Sequence, residues 1–298
     1  MSTPEGAPPP PQAPPEPLGE TVDDANDLRG AHFKALLSRP LTWILVIGCA
    51  IAGGVAGAIF LNAPLGGAIL AGLVLVGIGI VFAIADSRAA DAFFAIYAQE
   101  RGLTLVSDRG RLPEATPLLR KGDDRYTQRS LLGPLGPGCE GTLALYTYEE
   151  EYRDSKGNKQ TNYYHYTVGF IEIEEVRALV PELYCQRKFG FRALEKFEDV
   201  FRGSKERVNL ESEAMVDKYE LFANENQDAV WLRRLFSPTF IVWLTDSAPE
   251  KFAFELVNGR LCCYVSGHKE KADQLDTVMA ASVAVATRLR EEATQTSY

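Results

Sequence analysis

Three histidines, His32, His165 and His268, carry what scope the chain has for proton transfer near neutral pH. His165 lies in the run Tyr163-Tyr164-His165-Tyr166, where strand alternation puts it on the face opposite Tyr164 and Tyr166. With Glu149, Glu150 or Glu151 from a partner strand it could form an acid–base pair, although a half-exposed cross-strand pair is the commoner role. The carboxylates Glu149–Glu151 and Glu172, Glu174 and Glu175 could hold a divalent cation weakly. A solvated strand edge, where charge discourages aggregation, is the better default for them. The five cysteines show no CxxC and no Cys/His cluster, so no metal centre is expected, and a reducing compartment is the simpler reading. No GxSxG, HExxH, Walker-type or strand–helix GxGxxG motif is present. No catalytic, cofactor-binding or metal-ligating residue is therefore assigned, and no cofactor is expected. Tyr146, Tyr148, Tyr164, His165 and Tyr166 are the residues best suited to line a pocket or an interaction surface.

The elements that position them follow from pattern. Strands are expected near Tyr126–Leu132, Gly141–Arg153 and Thr161–Ile173, the last two joined by the polar turn Asp154–Lys159. Tyr164, Tyr166, Val168 and Phe170 share one face by period two. A helix is expected over Phe191–Val200, strands near Arg207–Leu210 and Lys218–Phe222, and a helix at Gln227–Phe236. Asn258-Gly259 predicts a two-residue type I′ turn. Its register sets Val257 against Arg260, Leu256 against Leu261, Phe254 against Cys263 and Phe252 against Val265. Cys263 then faces the core, and Cys262 sits on the other face beside Glu255, so the adjacent cysteines are neither disulfide nor chelate. Leu275, Val278, Met279, Ser282, Val285, Ala286 and Leu289 recur at helical spacing within Lys269–Glu292, a closing helix over the sheet.

Ahead of this domain the composition changes sharply. Residues 1–20 hold eight prolines, and residues 1–27 read as a disordered, acidic, Pro-rich tail. Residues 28–40 read as a juxtamembrane segment. Leu41–Leu61 and Leu65–Ala85 are almost free of polar groups, and 21 residues at about 1.5 Å each match a hydrocarbon core of roughly 30 Å. Asn62-Ala63-Pro64 is too short a link for anything but an antiparallel hairpin. Arg29, Lys34 and Arg39 before it, and Arg88 and Arg101 after it, place both termini in the cytoplasm by the positive-inside rule. Gly48, Ala52 and Ala56, Gly53 and Gly57, and Ala68 and Gly72 are spaced to pack helix against helix, within the hairpin or in self-association. No ionisable side chain interrupts either span, which argues against a transport path. Residues 86–102 extend the second helix to Gly102.

The expected fold class is α+β: a two-helix transmembrane hairpin at 41–85, then a soluble domain, 103–298, of antiparallel β-sheet with packed helices and a closing C-terminal helix. The order of the apolar pair, Tyr97-Ala-Gln-Glu-Arg-Gly-Leu-Thr104, a meander, and the stretch from Glu211 to Pro238 resembles a group of uncharacterised bacterial, actinobacterial-type membrane proteins. The matching positions are Glu211, Ser212, Glu213, Asp217, Tyr219, Leu221, Asn224, Ala229, Leu235 and Pro238. Leu210 and Met215 depart from the pattern, which has Phe at both. The resemblance implies architecture and no activity.

A net charge of −9 argues against a nucleic-acid platform, which needs clustered Lys and Arg. The expected role is a membrane-anchored cytoplasmic binding or scaffold module in the inner (plasma) membrane. Its partners would be the lipid bilayer, an unknown cytoplasmic protein or another copy of itself. The alternative is a membrane-tethered small-molecule sensor or enzyme with a pocket between the sheet and the C-terminal helix.

Overall fold

The computed structural model describes residues 34, 38, 48, 63–188, 205–208, 210 and 212–296. Helix α1, Ala63–Glu100, leads into the domain and stops where Gly102 takes a positive φ of 66°. Strand β1, Thr104–Val106, is followed by a covering segment that contains the short helix α2, Pro117–Arg120. Then come β2, Asp124–Gly136, β3, Cys139–Arg153, and β4, Lys159–Glu172. After β5, Glu182–Arg187, and β6, Lys205–Arg207, the helix α3, Glu213–Lys218, precedes β7, Tyr219–Asn224. Helices α4, Ala229–Leu235, and α5, Pro238–Val242, lead to the hairpin of β8, Ala253–Val257, and β9, Arg260–Ser266, and to the closing helix α6, Ala272–Thr296.

The strands form one antiparallel sheet in the order β1-β2-β3-β4-β9-β8-β5-β7-β6. The β8–β9 pairing follows the alternation argument, with Val257 against Arg260, Leu256 against Leu261 and Phe254 against Cys263. Asn258 and Gly259 both take positive φ, 49° and 77°, as a type I′ turn requires.

One sheet face carries the main core. Leu143, Leu145, Ile171, Leu261, Cys263, Val265, Phe254 and Leu256 meet Leu275, Val278, Val285, Ala286 and Leu289 of α6. Each buried Leu, Ile, Val or Phe among them contributes about 1.5–3 kcal/mol of burial. The second half of α1 joins this core through Phe93, Phe94, Tyr97 and Ala98. α6 comes so close to β4 that a Cβ on Gly169 would stand 2.1 Å from Ser282 Oγ. The opposite face is buried too, by the segment around α2, so β8 is buried along its whole length.

The transmembrane expectation is corrected. Residues 65–85 are not a bounded span but the first part of the 38-residue helix α1, whose later turns carry Asp86, Arg88 and Asp91 and dock on the sheet. Among the described residues no helix is long and apolar enough to cross a membrane. Among the described residues the fold is thus a nine-stranded antiparallel sheet with helices on it and a C-terminal helix, and they form no transmembrane hairpin. The description as an integral, multi-pass inner-membrane protein with cytoplasmic termini loses its ground with it. Ala52, Gly53, Ala56 and Gly57 lie outside the described residues, as do most of the first apolar span, the Pro-rich tail and the helix expected at Phe191–Val200. Of the remaining small-residue positions, a Cβ added to Gly48 or Gly72 would meet nothing within 4 Å among the described residues, and Ala68 is described by its backbone within α1.

Candidate functional site

Strand register brings the four tyrosines together. Tyr146 pairs with Tyr166 and Tyr148 with Tyr164 across β3 and β4, so all four point to one face. The Tyr148 ring stacks on Tyr164 at 4.8 Å and on Tyr166 at 5.8 Å. Tyr166 meets Tyr264 edge-on at 5.9 Å. This face lies opposite α6, so the tyrosines do not line a space between sheet and C-terminal helix as the alternative reading expected. Their cover is the segment 109–123.

That segment has little regular structure and is pinned at four places. Gly110 and Thr127 exchange backbone hydrogen bonds, and Asp123 N–H donates to Glu149 O at 2.8 Å. Between these points Leu118 N–H donates to Glu255 Oε2 at 2.9 Å, and the Tyr146 hydroxyl donates to Leu118 O at 3.3 Å. Glu255 is fully buried and also accepts from the Tyr264 hydroxyl, Oε1 at 3.2 Å. A carboxylate in a dry interior must have such partners to remain there. Leu118, Leu119 and Ala115 complete a second apolar cluster with Tyr146, Tyr148, Tyr166, Val168, Cys262 and Tyr264.

The chemistry available to this cluster is narrow. Burial raises the phenols of Tyr146 and Tyr148 and pushes Tyr166 up to about 12. A phenol held so far from neutrality exchanges protons poorly at pH 7. The four described cysteines are free and buried, and burial raises the thiols of Cys185, Cys262 and Cys263, which lowers their thiolate fraction and their reactivity.

His165 stands apart from the tyrosines, on the α6 side and exposed. Its Nδ1 lies 2.9 Å from Thr147 Oγ1, the residue directly opposite it. His268, in the turn between β9 and α6, reaches the same hydroxyl with Nε2 at 3.2 Å and also lies 3.2 Å from Tyr146 O. Because a carbonyl only accepts, His268 Nε2 carries its proton, shared between Tyr146 O and Thr147 Oγ1. The two rings stand 4.7 Å apart. Burial is the main reason that the His268 imidazole is held down to about 4. Thr147, and with it the meeting of His165 and His268, escaped sequence reading because a threonine in a strand carries no spacing signal. Glu255 left one trace, a lone charge inside Phe252-Ala-Phe-Glu-Leu-Val. His32 lies outside the described residues.

The acidic clusters resolve into ordinary ion pairs. Glu149 approaches Arg109 at 3.8 Å and Glu151 approaches Lys159 at 2.7 Å. Glu172, Glu174 and Glu175 meet Arg260, Arg177 and Arg290. Among the described residues no group of three or more His, Cys, Asp or Glu is arranged to hold a metal ion. Ser212, Glu213 and Asp217 of the 211–238 motif line, with Leu210 and Val216, an open groove of about 450 Å³ on α3.

No protein-family model matches the chain, and no curated protein matches it. Among solved structures it is similar to the crystal structure of the mycobacterial trehalose monomycolate transport factor A. The TM-score is 0.44 and the identity 9%, over 68% of this chain and 94% of that one, so nothing further follows for this chain.

Proposed function

We propose that this chain is a binding module that acts through its surface on a protein partner and performs no chemistry of its own. One observation carries the reading: the polar groups best suited to chemistry are spent on holding the fold. Tyr146, Tyr264 and Glu255 fix the covering segment, and the phenols of Tyr146, Tyr148 and Tyr166 are driven away from neutrality by burial. Its outward features are different in kind. The β3–β4 hairpin projects past the rest of the sheet and exposes Tyr152 and Tyr163, 48% and 54% accessible. Exposed tyrosines on a strand ribbon suit recognition, since they offer large contact area at low entropic cost.

The test is a thermal-shift screen of the full chain against metabolites, nucleotides and lipids. A flat response with all of them supports the binding module. A saturable rise in Tm with one small molecule, abolished by substitution in the tyrosine cluster, would replace this reading with a sensor or an enzyme.

A further inference from the structure

The outer edge of the β3–β4 arm is an unblunted strand edge, and we propose that it pairs antiparallel with the same edge of a second copy of this chain, about a two-fold axis through Thr161. This inference rests on the binding-module reading and names the partner.

β9 covers the outer side of β4 only from Tyr166 to Glu172. Beyond it the chain leaves the sheet at Gly267, whose N–H makes the last bond, 2.7 Å to His165 O. Because backbone groups of successive strand residues point to alternate sides, the bond at His165 fixes the direction of the rest. Lys159, Thr161 and Tyr163 aim their N–H and C=O groups outward. The other strand agrees: Glu149 O and Glu151 N, opposite Tyr163 and Thr161, bond away from β4 to Asp123. Among the described residues no strand lies on that side of 159–164.

Sheet edges are ordinarily kept short, charged or broken by proline to stop them pairing. The two terminal strands of this sheet obey, with three residues each in β1 and β6. Lys159-Gln160-Thr161-Asn162-Tyr163-Tyr164 does not. It has no proline, and its one charge is held by Glu151 at 2.7 Å.

The edge is complementary to itself. A two-fold axis through Thr161 sets Lys159 against the second copy's Tyr163, Thr161 against Thr161, and Tyr163 against Lys159. All three outward-facing residues then find backbone partners, and the seam ends before Gly267 would obstruct it. On one face an ammonium stem lies along each exposed tyrosine ring beside a Thr–Thr pair; on the other, Gln160 faces Asn162. No like charges stand directly opposite. The chain's Pro-rich beginning is unsuited to the same edge, because eight of its first 20 residues are prolines, which lack the N–H a ladder needs.

The test uses the full chain. Thr161→Pro removes an N–H that makes no bond within the β3–β4 ladder, so the fold is kept while the seam is blocked. Sedimentation over a concentration series is expected to show a dimer for the parent that is at least about tenfold weaker in Thr161→Pro, with equal unfolding midpoints. In a Cys49→Ser background, Thr161→Cys is expected to cross-link under mild oxidation, since paired Cα atoms there would lie about 5.5 Å apart. Tyr163→Cys, two positions from the axis, should not. A monomer at every concentration, an unaltered dimer in Thr161→Pro, or cross-linking through position 163 in place of 161 overturns the proposal. Those results leave the binding-module reading standing, which the ligand screen decides separately.

Discussion

Arg101 and Asp276 form a two-bond ion pair, Nε to Oδ1 and Nη2 to Oδ2, both at 2.6 Å, that ties the end of α1 to the first turns of α6. Tyr97 adds a third bond to the same carboxylate at 2.8 Å, with the guanidinium 3.8 Å above its ring. Burial works against ionising Asp276, yet the bonds from Arg101 and Tyr97 outweigh it and hold the carboxyl below its ordinary value.

Breaking that pair should loosen α1. Asp276→Asn and Arg101→Ala are each expected to cost about 1–2 kcal/mol in urea unfolding, the lower end reflecting the partial exposure of both groups. Since the folded carboxyl titrates below the unfolded one, the parent's advantage is whole above about pH 4 and fades as the pH falls through the folded value. A gap between parent and Asp276→Asn that persists at pH 2 would contradict this.

Acid should also act through His268, which faces His165 and Arg129 as well as Thr147. Its folded value of about 4 lies below the ordinary 6.5, so on acidification the unfolded chain takes up the proton first. The contribution of the neutral ring is whole above about pH 6.5 and is lost down to about pH 4, a change of about 1–3 kcal/mol. His268→Gln keeps a donor but cannot titrate, and its stability should fall less steeply across that window. Parallel pH profiles would refute the assignment.

Removing the buried carboxylate should release the covering segment. Glu255→Ala strands Leu118 N–H and the Tyr264 hydroxyl and opens a void, at an expected cost of about 2–4 kcal/mol. Trypsin should then cut at Arg109, Arg111 or Lys121 before it cuts elsewhere in the domain. Uniform digestion would show that the segment holds without its carboxylate.

The contact between α6 and β4 predicts a paired effect. Gly169→Ala forces a methyl against Ser282 and should cost about 1–3 kcal/mol in urea unfolding. Adding Ser282→Gly removes the obstruction, so the double variant should recover part of the loss despite the poor helix propensity of glycine. Simple additivity would mean that α6 shifts freely at this point.

Much of the sheet was legible because alternation and turn chemistry are local. Asn258-Gly259 set the register of β8 and β9, and the period-two run Tyr164, Tyr166, Val168, Phe170 identified a single face. The segment 109–123 was not legible, since its shape depends on Glu255, more than 130 residues away in sequence, and not on any period of its own. β5 was missed for a related reason: Glu182–Arg187 is too short and too mixed to show alternation, and its place comes from pairing with β7 and β8. The four tyrosines share a face without His165, and they lie under the segment 109–123 and not under α6, because parity says which residues share a face and not which element lies over it. The apolar stretch 65–85 misled by composition. It is the opening of a helix whose end is fastened to the domain, and hydropathy cannot show where a helix docks.

β9 stands fifth of nine in the sheet, yet it is the last strand to be synthesised. Until it emerges from the ribosome, β1–β4 form one ribbon and β5–β8 another, with nothing to join them. The nascent protein must therefore hold the Tyr166–Glu172 stretch of β4 open, without its mate, from the completion of β4 until β9, Arg260–Ser266, has been made. A stop codon between Val257 and Arg260 would leave two sticky half-sheets and not a smaller stable protein.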